Sequence, residues 1–395
     1  MRASTVVPGS ERELAEVLTD LHATLPDIVV TGSARPDPAP HLPAATATSR
    51  SPYLDPLLLS TARLSDVVEF RPRDLTIEVG AGMRMRELLR LVEERGLWLP
   101  VSGEGLERSV GGWVAAASPS MWDSAFGPVR RQLLGCRMLN TTGETLHWGR
   151  HVMKNVAGYD IPRLLAGSRG RLGVLTRVIL RLWPKPADVS VLAYPLAAGE
   201  IAPDVTGADA RTVHVSRNRM RWEILAFAGS ESSVRRRSGQ LLERLRHLDA
   251  AGNVRVGDSA TAEFLAAPAR KPGSVVYRLT PGRRYLASCM GALTEGPGAA
   301  PATVEAWPSA GTMLARFDSG PAHERMKELA GEPERSSGPH GARARGVTPP
   351  MGVDRGGPAE HAWAQARREP ATVAIERRIE QVFGAWPRSW LADYL

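Results

Sequence analysis

Cysteine is nearly absent from this chain: Cys136 and Cys289 are the two in 395 residues. Two thiols can build neither a disulfide framework nor a four-thiolate cluster, which excludes a disulfide-stapled scaffold and a resident iron–sulfur centre. Long apolar runs are missing too. No stretch reaches the roughly 18 residues a membrane helix needs, and the opening "MRASTVVPGSERELAEVL" lacks the apolar core of a leader peptide. The expectation is a cytoplasmic chain that meets the inner membrane only peripherally, through partners. Lysine is scarce as well, since only four of the 50 basic residues are lysines (Lys154, Lys185, Lys271 and Lys327). Net charge is +8 and the pI is near 10. The arginines nevertheless stand among acids, as in "RELLRLVEERG" and "ERMKELAGEPER", which is the pattern of solvated helix faces. No nucleic-acid partner is expected.

What is present suffices for real cores, with 43% hydrophobic residues in a length that suggests two domains. "ERELAEVLTDLHAT" has helical spacing, with Leu14, Val17, Leu18 and Leu21 on one face and Ser10 placed to cap it. "DIVVTGS" reads as a short buried strand entering a glycine turn, and residues 33–52 as an irregular Pro/Ala/Ser/Thr-rich loop. "LSDVVEFRPRDLTIEVGAGM" reads as strand, turn, strand. "RMRELLRLVEERG" is an amphipathic helix stopped by Gly96, and "RMLNTTGETLHWG" a hairpin turning at Gly143. Pro184 and Pro186 in "RLWPKPAD" mark a boundary near residue 187. Beyond it, "RWEILAFAG", "SVVYRLT" and "AGTMLARF" read as strands, and "ESSVRRRSGQLLERLRHL" and "AHERMKELAG" as helices. That order suggests an antiparallel sheet with helices on one face. Residues 331–370 are poorly patterned, and "VAIERRIEQVFGAW" reads as a final amphipathic helix.

Glycine concentrates in two motifs. "ERSVGGWVAAA" (107–117) suits close passage of the backbone past a flat or charged ligand, and equally a tight turn before a buried Ala-rich helix. In "GYDIPRLLAGSRGRLGVLTRVIL", Gly167, Gly170 and Gly173 precede a strand, so successive N–H groups can face an anion. A bulged hairpin is the alternative. The run is neither a P-loop, lacking Gly-Lys-Ser/Thr, nor a dinucleotide fingerprint, which opens a helix.

Taken together, "VMKNVAGYD", "LLAGSRGRLGVLT" and the earlier "SVGG" resemble the FAD-binding domain of the vanillyl-alcohol-oxidase type, the PCMH fold. Within it they are most similar to the FAD-binding E subunits of bacterial glycolate oxidases. The resemblance is strong over residues 54–186 and weaker beyond, at "RWEILAFAGSESSVRRR" and "GPHGARARG". It implies an α+β protein: a two-subdomain PCMH-type FAD-binding domain (1–186) followed by a ferredoxin-like antiparallel-sheet cap (187–395). By matching, Ser109, Val110, Gly111 and Gly112 would line the pyrophosphate and isoalloxazine. Lys154, Asn155, Gly158, Tyr159 and Asp160 would form a flavin-side loop. Gly167, Ser168, Gly170, Leu172, Gly173 and Val174 would cradle the adenosine half, largely through backbone groups. The family's first phosphate loop falls at "VVTGSARPDPAP", where Gly32 and Ser33 match it while Pro36, Pro38 and Pro40 remove backbone donors. No histidine stands there for covalent attachment, so non-covalent FAD is implied.

Arg131, Arg169 and Arg171 depart from the family's usual acidic or small residues. The metal-ligand run of the D-type subunits, the iron–sulfur cysteines and the family's usual C-terminus are all missing. Oxidation of a 2-hydroxy acid by a flavin needs a base for the hydroxyl and a cation for the carboxylate. His340, with Arg343 or Arg345, is the candidate set, and an exposed loop histidine is the plainer reading. His147 and His151 read as structural. The expected function is the flavoprotein subunit of a glycolate (2-hydroxy acid) oxidase complex, beside a D-type flavoprotein and an iron–sulfur subunit. A subunit that kept the fold but not catalysis, and a stand-alone flavin dehydrogenase, are the alternatives.

Overall fold

The computed structural model describes residues 5–22, 28–32, 57–151, 160–196, 207–215, 221–246, 255–256, 275–279, 286, 290, 303–307 and 312–317. Its first layer is a parallel sheet of three strands in the order β1-β3-β2: β1 (Thr5–Val6), β2 (Ile28–Thr31) and β3 (Leu57–Ser60). Helix α1 (Glu11–His22) starts where the Ser10 hydroxyl accepts the Glu13 N–H at 3.2 Å and the Glu13 carboxylate accepts the Gly9 N–H at 2.7 Å. The first bond satisfies an amide that the opening helical turn leaves without a partner, and the second ties the residue before the cap to that turn. Leu14 and Leu18, one turn apart, are buried with Leu59, Leu139 and Val174, so α1 and the sheet share a core with the next layer.

That layer is an antiparallel sheet ordered β4-β5-β9-β7-β8. It comprises β4 (Val67–Arg71), β5 (Thr76–Gly80), β7 (Leu133–Leu139), β8 (Thr145–Gly149) and β9 (Val174–Arg181). Helices α2 (Met85–Glu93) and α3 (Val110–Ala116) supply Met85, Leu88, Val92, Val110, Trp113 and Val114 to its core. The strand–turn–strand over 64–83, the helix ending before Gly96 (φ +67°) and the hairpin at Gly143 (φ +79°) stand where the sequence patterns put them. The short helices α4 (Asp123–Phe126), α5 (Val129–Gln132) and α6 (Ile161–Leu165) complete this part. β6 (Leu97–Trp98) pairs with β10 (Trp183–Pro184). Beside that ladder Trp98, Trp122, Phe126 and Trp183 meet edge to face, with the closest centroids 5.1 Å apart.

A second sheet opens at Asp188. It is antiparallel throughout, in the order β14-β11-β13-β12-β16-β17-β15. Its strands are β11 (Asp188–Leu196), β12 (Ala210–Val215), β13 (Arg221–Gly229), β14 (Arg255–Val256), β15 (Val275–Leu279), β16 (Thr303–Trp307) and β17 (Thr312–Phe317). Helix α7 (Glu231–Arg246) covers one face with Val234, Leu241 and Leu245 against Leu192, Tyr194, Leu225 and Phe227. The opposite face presents Val191, Ala193, Ala210, Ile224 and Ala226 to Met121 and Trp122. The strand–helix–strand–strand order read from sequence is incomplete here. β11, β12 and β16 carry apolar residues on both faces, because both are covered, so they lack the alternation that betrays a half-exposed strand. The helices expected over 322–331 and at the C-terminus lie outside the described residues.

The joint between the first two layers is made of backbone. A Cβ on Gly80 would overlap the Leu64 carbonyl, and one on Gly82 the Thr61 carbonyl. The amides of both residues are hydrogen-bonded across this contact, Gly80 N–H to Asp66 O and Gly82 N–H to Leu64 O, each at 2.8 Å. Side chains are excluded because two main chains occupy the space. Gly82→Ala is therefore expected to cost about 1–3 kcal/mol or more by overpacking, read from the denaturant midpoint. Gly239→Ala should instead stabilise by about 1 kcal/mol, because nothing lies within 4 Å of the added methyl in α7.

Candidate functional site

Three separate segments meet at the C-terminal end of β2. Gly32 follows the strand, and a Cβ there would overlap the Ser109 hydroxyl. Ser109 is the N-cap of α3, buried, with its Oγ accepting the Gly112 N–H at 3.1 Å. On the other side, a Cβ on Gly170 would lie 3.4 Å from Val30 Cβ. Loop 166–173 is in turn tied to α3, with Gly167 N–H donating to Val114 O at 3.1 Å and Arg169 N–H to Ala115 O at 2.8 Å. Gly167 and Gly170 have φ of +95° and +79°, and even Arg169 is held left-handed at +54°. The result is a seam of glycine and serine backbone at a parallel strand's carboxyl end, where open α/β sheets place ligands.

The site residues read from the sequence separate into groups here. Gly32, Ser109, Gly112, Gly167 and Gly170 line the seam. Val110 and Gly111 lie beneath it, their N–H groups donating to Met83 O (2.8 Å) and Ala81 O (2.7 Å), and Gly111 is packed tightly on Ala81. Ser168 N–H donates to Leu165 O and Arg171 N–H to Ser168 O. With Gly167 and Arg169, four amides of this loop thus face protein carbonyls, so its contribution to a ligand is its thinned surface rather than those donors. Leu172 packs on the core, Val174 is buried, and Gly173 (φ +143°) makes room for Met138. Asp160 caps α6, accepting the Arg163 N–H at 3.4 Å and pairing with Arg163 Nε at 2.9 Å. Ser33, Lys154, Asn155, Gly158, Tyr159, His340, Arg343 and Arg345 lie outside the described residues.

A shallow recess lies between the two parts of the chain. Ser102, Gly103 and Met121 line it from the first part, and Thr212, His214, Ile224, Glu305 and Trp307 from the second sheet. Its floor is rigid: the buried Ser102 and Ser120 hydroxyls lie 3.0 Å apart, and Ser102 Oγ accepts the Met121 N–H at 3.0 Å. His214 and Glu305 are cross-strand partners of β12 and β16. Neither is singled out by sequence reasoning, because "ARTVHV" and "TVEAW" carry no motif. Only the sheet sets the histidine opposite the carboxylate.

Residues 3–149 match the family model for the FAD binding domain (FAD_binding_4). Among curated proteins, glycolate oxidase subunit GlcE of Escherichia coli (strain K12) is 37% identical over 122 residues, 30% of this chain and 35% of that protein. Glycolate oxidase subunit GlcD of Bacillus subtilis (strain 168) is 28% identical over 193 residues, 49% and 39% of the two chains. D-2-hydroxyglutarate dehydrogenase of Xanthomonas citri pv. viticola is 33% identical over 142 residues, 35% and 30%. The matched segment thus spans roughly a third of these relatives. A solved structure of alkyldihydroxyacetonephosphate synthase superposes with a TM-score of 0.56 over 81% of this chain and 68% of that one. At 13% identity this shows the fold alone. The chain carries an FAD-binding domain of the PCMH type, similar to GlcE, and FAD is its cofactor. The glycine seam fits that group, since a dinucleotide's diphosphate needs close backbone approach with little Cβ bulk.

Two outcomes are expected from this geometry. Gly32→Ala should displace Ser109, cost about 1 kcal/mol through loss of the α3 cap, and reduce the FAD retained through purification. A variant that melts lower yet keeps its full FAD would mean that the seam does not hold the cofactor. Asp123, beside the recess floor, has its carboxyl pushed by burial from 3.8 up to about 7, against the lowering effect of the Ser120 N–H. Between about pH 4 and pH 7 the folded state keeps a proton that the unfolded chain has released, so this group makes stability fall as pH rises through that window. Asp123→Asn should therefore stabilise by about 1–2 kcal/mol at about pH 8 and by little below pH ~4, in urea melts. A shift of this size corresponds to about 4 kcal/mol at most, reduced because Asp123 is half-buried and screened by water.

Proposed function

We propose that this chain is the FAD-carrying subunit of an oxidoreductase complex that oxidises a small 2-hydroxy acid such as glycolate. It would work beside a D-type flavoprotein subunit and an iron–sulfur subunit, on the cytoplasmic side, with any membrane contact made through those partners. The observation that carries this reading is the convergence of Gly32, Ser109, Gly112 and Gly170 at the end of β2. It is a cradle for a dinucleotide in a domain whose relatives include glycolate oxidase subunits. We take residues 1–186 as the cofactor domain and 187–395 as the cap. FAD is held non-covalently by the seam together with the 154–160 and 167–174 segments read from the sequence.

Bound FAD supplies the two-electron acceptor. The protein's own task is to seat the substrate and take its hydroxyl proton. We take His214 as the candidate base, since Glu305 is its cross-strand partner and both line the recess. The carboxylate needs a cation, for which Arg343 and Arg345 remain the sequence candidates. Among the described residues no helix is long and apolar enough to cross a membrane.

The test is anaerobic mixing of the purified complex with glycolate, D-lactate and D-2-hydroxyglutarate. FAD released on denaturation in proportion to this chain, and bleached by one of these acids, is expected. His214→Asn should slow bleaching by about 10²–10⁴-fold with unchanged FAD content. A complex in which this chain carries no FAD overturns the proposal. FAD on this chain that none of the acids reduces assigns it to a subunit that kept the fold without the catalysis.

A further inference from the structure

In the five-stranded sheet, apart from the residues lining the recess, a histidine and two glutamates converge. Glu69 on β4 and Glu78 on β5 are direct cross-strand partners, so two carboxylates lie side by side, an arrangement that is destabilising on its own. His151 follows β8 by two residues and reaches them, although β8 and β4 stand at opposite ends of the strand order. Its Nε2 lies 3.2 Å from Glu69 Oε2 and 3.5 Å from Glu78 Oε2, and the His151 side chain is only 9% exposed. That nitrogen makes no hydrogen bond with either oxygen. On its other side, Nδ1 lies 2.8 Å from the hydroxyl of Thr76, a residue that is itself buried.

The spacing is that of a metal's coordination shell. Ligands about 2.0–2.2 Å from a tetrahedral zinc ion lie about 3.3–3.6 Å from one another, close to the two histidine-to-carboxylate distances. An Nδ1–H donated to Thr76 would leave the Nε2 lone pair facing two anions, which a cation between them relieves. Such a hydrogen bond on the far ring nitrogen is also the usual way a ligating imidazole is held in place. Glu69 Oε1 is already taken by Arg71 Nε at 2.7 Å, so Oε2 is the atom available to an ion. Glu69 is 42% exposed and Glu78 17%, so the cluster is open to solvent on the Glu69 side.

We propose that Glu69, Glu78 and His151 form a site for a divalent first-row transition ion of the zinc class, with water completing the shell. A nitrogen donor with two carboxylates suits such ions better than magnesium or calcium, which prefer all-oxygen sites. Three protein ligands and a solvent-facing position leave the ion open to exchange. The ion ties the exit of β8 to the β4–β5 hairpin, just before the segment read from sequence as the flavin-side loop.

The test uses the full chain, with any polyhistidine tag removed, stripped by a chelator and titrated with Zn²⁺ and with Co²⁺. One equivalent bound, with a cobalt ligand-field band and a Zn²⁺-dependent rise in melting temperature, is expected. Glu78→Gln and His151→Gln should each weaken Zn²⁺ binding at least about tenfold, Thr76→Val about 10–100-fold, and His147→Gln should leave it unchanged. Since replacing a buried histidine can disturb packing, the more exposed Glu69→Gln serves as the second variant. It should lose Zn²⁺ affinity while its metal-free melting temperature stays that of the parent. No saturable uptake by the parent chain, or uptake retained in both glutamate variants, overturns the proposal.

Discussion

Main chain packed against main chain between residues 80–83 and 61–66 is the constraint on which the cofactor domain rests. Leu64 and Asp66 accept the amides of Gly82 and Gly80, and the carbonyls of Thr61 and Leu64 stand where side chains would otherwise be. This contact fixes the parallel three-stranded layer against the five-stranded one. The next link is made the same way: Ala81 O accepts the Gly111 N–H, Met83 O accepts the Val110 N–H, and α3 is thereby set with its Ser109 cap against Gly32. Gly80 and Gly82 leave out side chains where another main chain passes, Gly111 does so against Ala81, and Gly32 leaves room for the Ser109 hydroxyl that closes the seam. A domain joined by larger side chains would hold its layers further apart and would close no such seam.

The second sheet is joined on different terms. Met121 and Trp122 bury themselves in the inner face of the second sheet, and Trp98, Phe126 and Trp183 add edge-to-face contacts around them. The opposite face carries its own buried polar group. The Glu223 carboxylate is fully enclosed with Arg211 and the Tyr194 hydroxyl, the latter at 3.0 Å. Burial raises its pKa, and the Arg211 guanidinium opposes that rise. A buried ion of this kind adds little net stability, yet it is costly to break, so it fixes the pairing of β11, β13 and β12. The recess follows from this arrangement, since the strands that hold Glu223 on one side present Thr212 and Ile224 on the other.

Much of the cofactor domain was legible before any coordinates. Ser10, the α1 leucines, Gly96 and Gly143 are local signals whose physics acts within a few residues. The two glycine motifs carried the resemblance because close backbone approach permits few other residues. Legibility ended where packing covers both sides of a strand. "DVSVLAYPL", "ARTVHV" and "TVEAW" lost their period-two pattern for that reason, and His214 and Glu305 went unread with them. His151 read as structural because a lone histidine after a hairpin carries no spacing signal toward Glu69 and Glu78, more than seventy residues away in the sequence.

The sequence by itself determined the chemical class of the chain: too few thiols for a cluster, no long apolar run, and glycines gathered in two motifs that resemble those of an FAD-binding domain. Those are properties of composition and of short windows, where each residue's own conformational freedom decides the outcome. The tertiary structure decided which of those glycines line the seam and which serve the fold. It turned Gly111 and four amides of the 167–171 loop inward, and it brought Gly32 to Ser109 and His151 to Glu78. Such contacts join segments separated by tens of residues, and their partners are chosen by the stacking of layers, which no local pattern encodes.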